Sequence, residues 1–71
     1  MKIQKQIKDI KFTYQNVYGE TMKVSEPIVM ASAAGWYVGA ICKTDGFVEP
    51  FDRYTDYVAT PEEAEKLMEA A

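Results

Sequence analysis

The sequence predicts an α+β fold: a small antiparallel β-sheet of three to five strands, with one C-terminal α-helix packed on a face. Three observations carry this. Apolar and aromatic residues alternate with polar ones from Ile10 to Tyr14, and a second two-faced stretch runs from Gly35 to Lys43. Period two with aromatic enrichment belongs to strands. Asp45-Gly46 parts two such stretches, and that dipeptide suits a type I′ hairpin, which needs positive φ at both central residues. Thr60-Pro61-Glu62-Glu63 then opens a segment with apolar residues at helical spacing.

The first strand is expected over about Lys8 to Tyr18, where Ile10, Phe12, Tyr14 and Tyr18 alternate with Lys11, Thr13 and Gln15. The residues before it are open, because Ile3, Ile7 and Ile10 also fit helical spacing. Gly19-Glu20 suits a type II′ turn, with glycine first. Met22 and Val24 flank Lys23 in a short second strand, which Pro27 ends or places at an edge. Ile28 to Ala34 reads either as a buried strand or as one helical turn.

Gly35 to Thr44 is a strand with Trp36, Val38, Ala40 and Cys42 on one face and Tyr37, Gly39, Ile41 and Lys43 on the other. A two-residue turn at Asp45-Gly46 sets Thr44 against Phe47, Cys42 against Glu49 and Ala40 against Phe51. Pro50 makes the return strand an edge or ends it early. Gly39 marks a bulge or a close approach by an aromatic neighbour. A last short strand is expected from Tyr54 to Ala59.

The helix start is fully specified. Thr60 can cap a first-turn N–H, and Glu63 completes a capping box. Pro61 sits where its missing N–H costs nothing. Glu62 and Glu63 complement the helix dipole. Ala64, Leu67, Met68 and Ala71 form the apolar stripe, and Glu62 and Lys66 are an i,i+4 pair. A helix of about eleven residues is marginal alone, so the stripe must dock on the sheet. The expected core is Trp36, Val38, Ile41, Phe12, Tyr14, Phe51, Val58, Leu67 and Met68.

The chain has 71 residues, which make one domain, residues 1–71. A core of this size rarely supplies more than about 3–5 kcal/mol without a staple. With Cys42 as the single cysteine, no intramolecular disulfide can form, which suits a reducing cytoplasm. There is no histidine, so a zinc site and the usual general base are both disfavoured. No catalytic residue, metal or cofactor is expected. No run approaches the roughly 20 apolar residues of a membrane span. Residues 1–11 are too rich in lysine for a signal peptide.

Charge is uneven. Residues 1–24 carry five lysines against Asp9 and Glu20; residues 25–71 carry Lys43, Arg53 and Lys66 against nine acids. Lys2, Lys5, Lys8 and Lys11 recur every third residue, either as a basic arm for nucleic acid or, the favoured reading, as a solvated end that protects an edge. Cys42 reads as a small buried hydrophobe. The acids Asp45, Glu49, Asp52 and Asp56 lack the spacing of a calcium loop. Arg53 among Asp52, Tyr54, Asp56 and Tyr57 has the composition of an interface hot spot, or pairs with a neighbouring acid. In a strand, Tyr54 and Tyr57 would face opposite ways, one in the core and one at the surface.

Gly35-Trp36-Tyr37, Pro50-Phe51-Asp52-Arg53, Tyr57 and Thr60-Pro61-Glu62-Glu63-Ala64 together give the C-terminal half a pattern that resembles small, uncharacterised accessory proteins encoded by bacteriophages and prophages. The resemblance implies an early or accessory viral protein that acts in the bacterial cytoplasm by binding, and modulating or inhibiting, a host protein, such as a defence or nucleic-acid-processing factor. It supplies no functional residue. The acidic, aromatic C-terminal surface is the expected contact: Arg53, Tyr54 and Asp56, with Glu62, Glu65 and Glu69 as supporting charges. The alternative is a self-assembling structural or scaffold module, a homodimer formed by edge-strand pairing. A nucleic-acid partner ranks last, and no membrane partner is expected.

Overall fold

The computed structural model describes residues 2–70. Its strands are β1 (Lys2–Ile3), β2 (Phe12–Val17), β3 (Glu20–Ser25), β4 (Ile28–Ser32), β5 (Gly35–Thr44) and β6 (Phe47–Arg53), followed by α1 (Pro61–Ala70). All pairings are antiparallel. The α+β architecture agrees with the sequence, but the sheet has six strands rather than three to five.

The extra strands come from two broken rows. β3 pairs with β5 at Lys23–Lys43 and Val24–Cys42, and β4 pairs with the same β5 from Ile28–Gly39 to Ser32–Gly35. β3 and β4 are therefore successive halves of one bent row, interrupted at Glu26-Pro27. β1 and β2 lie outside them as a second bent row, parted by a 3-10 turn at Ile7–Asp9. The result is a four-row meander closed by three two-residue hairpins. Ile28 to Ser32 resolves as buried strand, because it is the central row beside β5.

The Asp45-Gly46 turn is as expected, with φ of 51° and 83°. The first hairpin differs. Val17 pairs with Glu20, so the loop is Tyr18-Gly19, with φ of 51° and 83°. This is a type I′ turn with glycine second, not the type II′ turn at Gly19-Glu20. Met22 lies beside Val24, Ala40 and Cys42 in this register, and a slip by one residue would turn it outward.

At the bent row, Ser25 replaces a missing backbone partner. Its hydroxyl accepts from the N–H of buried Ile41 at 2.9 Å and donates to the Glu26 carbonyl at 2.8 Å. Glu26 ties the outer row down: its carboxylate accepts from the Lys11 N–H at 2.9 Å and from Lys5 Nζ at 3.3 Å. Both contacts hold the Glu26 carboxyl below its ordinary range.

The core lies on both faces of the sheet. One face packs Ile28, Met30, Tyr37 and Ile41 with Ile10 from the β1–β2 connection. The other packs Val29 and Val38 against Ala64 of α1, with Trp36, Val58 and Met68 at the rim. Fully burying one such side chain contributes about 1.5–3 kcal/mol. Two expected core residues lie outside: Tyr14 is 72% exposed and Leu67 39%. Tyr14 stands on the outermost row, with no neighbour beyond it, and Leu67 is at the flank of the stripe. Ala71 of that stripe lies outside the described residues.

β6 also departs from the simple register. Thr44 faces Phe47 and Cys42 faces Glu49 as expected, but Ile41 faces Pro50 and Ala40 faces Asp52. Phe51 is the extra residue of a bulge. The chain passes so close here that residue 39 must be glycine: a Cβ there would strike the Asp52 carbonyl oxygen and meet the Tyr37 ring at 2.9 Å.

Candidate functional site

The surface to examine begins where β6 ends. Tyr54 to Ala59 is not a strand. The Tyr54 N–H still donates to Val38 O at 2.8 Å, and Val58 regains a two-way bridge to Trp36 at 2.7 and 2.9 Å. Between them the chain loops outward. The Val38 N–H is satisfied by the Thr55 hydroxyl at 3.0 Å, which in turn donates to the Asp56 carbonyl at 3.0 Å. A side-chain hydroxyl has taken the place of a ladder acceptor, and that competition ends the strand.

The loop divides the expected contact residues between two faces. Arg53 lies over the Tyr57 ring, 4.9 Å from its centroid. Tyr57 meets Tyr37 edge-on, at 5.3 Å between centroids and 79° between planes. The guanidinium also donates to the Thr55 carbonyl at 2.8 Å and lies 3.7 Å from the Asp56 carboxylate. Asp56 is fully solvated, so this pair contributes little. Burial pushes the Tyr37 hydroxyl above its ordinary range, so it is a neutral group here.

Tyr54 is on the opposite face. With Pro27, Val38, Thr55, Leu67 and Met68 it lines an apolar groove of about 480 Å³ beside α1. A second groove of about 540 Å³, lined by Gln4, Lys5, Glu26, Pro27, Ile28, Val29, Glu65 and Met68, shares Pro27 and Met68 with it. Tyr54 is thus separated from Arg53 and Asp56 and joined to Leu67, a residue the sequence assigned to the core. Tyr54 and Tyr57 do face opposite ways, but both are partly exposed, at 52% and 43%.

The helix is held as its sequence requires. The Glu63 N–H donates to Thr60 Oγ1 at 3.2 Å, and the Glu63 carboxylate reaches back to the Ala59 N–H at 3.3 Å, one residue before the cap. Glu62, Glu65 and Glu69 follow at i, i+3 and i+7, on one side of the helix. Glu62 and Glu69 are exposed, and the partly buried Glu65 lines the second groove. Lys66 forms no ion pair with Glu62 in the described residues. The last turn carries Glu69 and no basic residue, the wrong sign for the carbonyl end of a helix. Glu65 and Glu69 are also a like-charged i,i+4 pair, destabilising by roughly 0.2–0.5 kcal/mol.

Cys42 is buried, and burial together with the Glu49 charge pushes its thiol up, away from reactivity. Of the N-terminal lysines, Lys2 lies over Trp36 and Lys5 pairs with Glu26. Among the described residues, no group of three or more His, Cys, Asp or Glu is arranged to hold a metal, and no helix is long and apolar enough to cross a membrane. No protein-family model, curated protein or solved structure matches the chain.

Proposed function

We propose that this is a small phage-type accessory protein that binds and modulates a host protein in the bacterial cytoplasm, using the groove beside α1 and its glutamate edge. The observation that carries the reading is a conflict in the helix. Glu65 and Glu69 weaken α1 locally, yet Glu65 lines the groove of about 540 Å³, which shares Pro27 and Met68 with the apolar groove walled by exposed Tyr54 and Leu67. Local rules broken without structural gain point to a binding role. An apolar groove adjoining one that carries Glu26 and Glu65 fits a basic, amphipathic segment of a partner protein. The viral assignment rests on the resemblance in the C-terminal half. Arg53 and Asp56, on the other face, form a second contact or only hold the loop.

The test is capture from bacterial lysate with tagged protein, comparing wild type with Leu67→Glu and with the triple variant Glu62→Lys, Glu65→Lys, Glu69→Lys. A partner retained by wild type should be lost with Leu67→Glu, and with the triple variant its affinity should fall at least about tenfold and lose its salt dependence. A partner held equally by all three proteins would overturn the reading.

A further inference from the structure

β2 is an open sheet edge. It pairs with β3 alone, and Val17–Glu20 closes a two-residue hairpin, so that pair exchanges its backbone bonds. Bonding then alternates along the strand, and the Glu26 N–H to Lys11 O bond of 2.9 Å fixes the same phase at the other end. Lys11, Thr13, Gln15 and Val17 bond inward, which leaves the N–H and C=O of Phe12, Tyr14 and Asn16 directed outward. The lysines that the sequence reads as protecting an edge stop at Lys11, and along β2 itself none of the described residues blunts it. From Phe12 to Val17 there is no charge, no proline and no bulge. The ribbon is also under-supported, because β3 meets β5 only at Lys23 and Val24, so residues 14–22 project as a two-stranded hairpin. Such a hairpin is marginal in water without a third strand. Two of the three most exposed aromatic residues belong to it, Tyr18 at 102% and Tyr14 at 72%, with Phe47 between them at 77%.

We propose that the third strand is β2 of a second copy of this chain, paired antiparallel about a two-fold axis at Tyr14. An axis normal to the sheet keeps each face continuous and sets each residue opposite a counterpart of the same parity. Centred on Tyr14, it places Phe12 opposite Asn16 of the other copy and Tyr14 opposite itself. Every outward group from Phe12 to Asn16 then finds a partner. The uncharged segment brings no like charges face to face. The two tyrosines make an aromatic cross-strand pair, each with Lys23 over its ring at 5.4 Å on the inner side. This contact is independent of the helix groove, so either can fail without the other.

The experiment is sedimentation of the full chain from about 10 µM to about 1 mM, a span suited to a weak interface. Wild type should pass from monomer to dimer, with the Tyr14 and Asn16 amides gaining exchange protection as dimer forms. Tyr14→Pro removes an outward N–H and should abolish the dimer. Should it disturb the strand by circular dichroism, Tyr14→Lys, which opposes two like charges, should abolish it instead. Tyr14→Cys in a Cys42→Ala background should oxidise to a disulfide-linked dimer. A monomer throughout the range, or a dimer that survives Tyr14→Lys but is lost with Leu67→Glu, overturns the proposal.

Discussion

The two long edges of the sheet, β2 and β6, are built on opposite plans. By the alternation from the Thr44–Phe47 closing pair, Pro50 stands at an outward position of β6, where its missing N–H removes a docking point. The Phe51 bulge twists that edge, and Glu49, Asp52 and Arg53 charge it. β2 has none of these devices. One edge of a thin sheet is closed against strand addition and the other is left available, so the difference concerns association rather than fold.

The largest way to break that comparison is Gly39→Ala. The added methyl group strikes the Asp52 carbonyl and presses on Tyr37, separating β6 from β5. A loss of about 3 kcal/mol is expected in urea denaturation, most of the stability of a chain this small. Ser25→Ala acts on the β2 side. It leaves the buried Ile41 N–H without its acceptor and should cost about 1–2 kcal/mol by the same measurement, with native spectra retained. Thr60→Ala removes the helix cap on the closed side and should cost about 1 kcal/mol.

Two subtler measurements sharpen it. In dilute monomer, the inward amides of Gln15 and Val17 should exchange at least about tenfold faster than those of Ala40 and Ile41, because the ribbon opens below the global unfolding energy. Acid should loosen the same outer row. The folded pKa of Glu26 is depressed, so its contribution is present above the ordinary carboxylate value of 4.5 and is lost as pH falls through the folded value. Glu26→Gln should remove that part of the acid dependence, read by thermal unfolding between pH 6 and pH 3.

Much of the fold was legible where the signal is local. Asp45-Gly46 specified its turn and the register from Thr44 to Glu49, because few residues accept two positive φ angles in succession. The candidate site was legible only in part. The glutamates could be placed on one side of a helix from spacing. Nothing in the local pattern signals that Thr55 satisfies Val38, so the sequence groups Tyr54 with Arg53 and Asp56, whereas the loop sends them to opposite faces. Leu67 fits the apolar stripe by period, but Ala64 and Met68 take the contact with the sheet.

By itself the sequence determined the α+β class, the Asp45-Gly46 hairpin, the helix start at Thr60 and the burial of Cys42. Each follows from short-range stereochemistry or from an uninterrupted apolar face. Only the tertiary structure decided that the strand ending before Pro27 resumes as β4 in the same bent row, that Phe51 is a bulge, and that Tyr14 and Leu67 remain in solvent. Those outcomes depend on which distant backbone passes alongside. A side chain's period states which way it points, but not whether another row lies there to cover it.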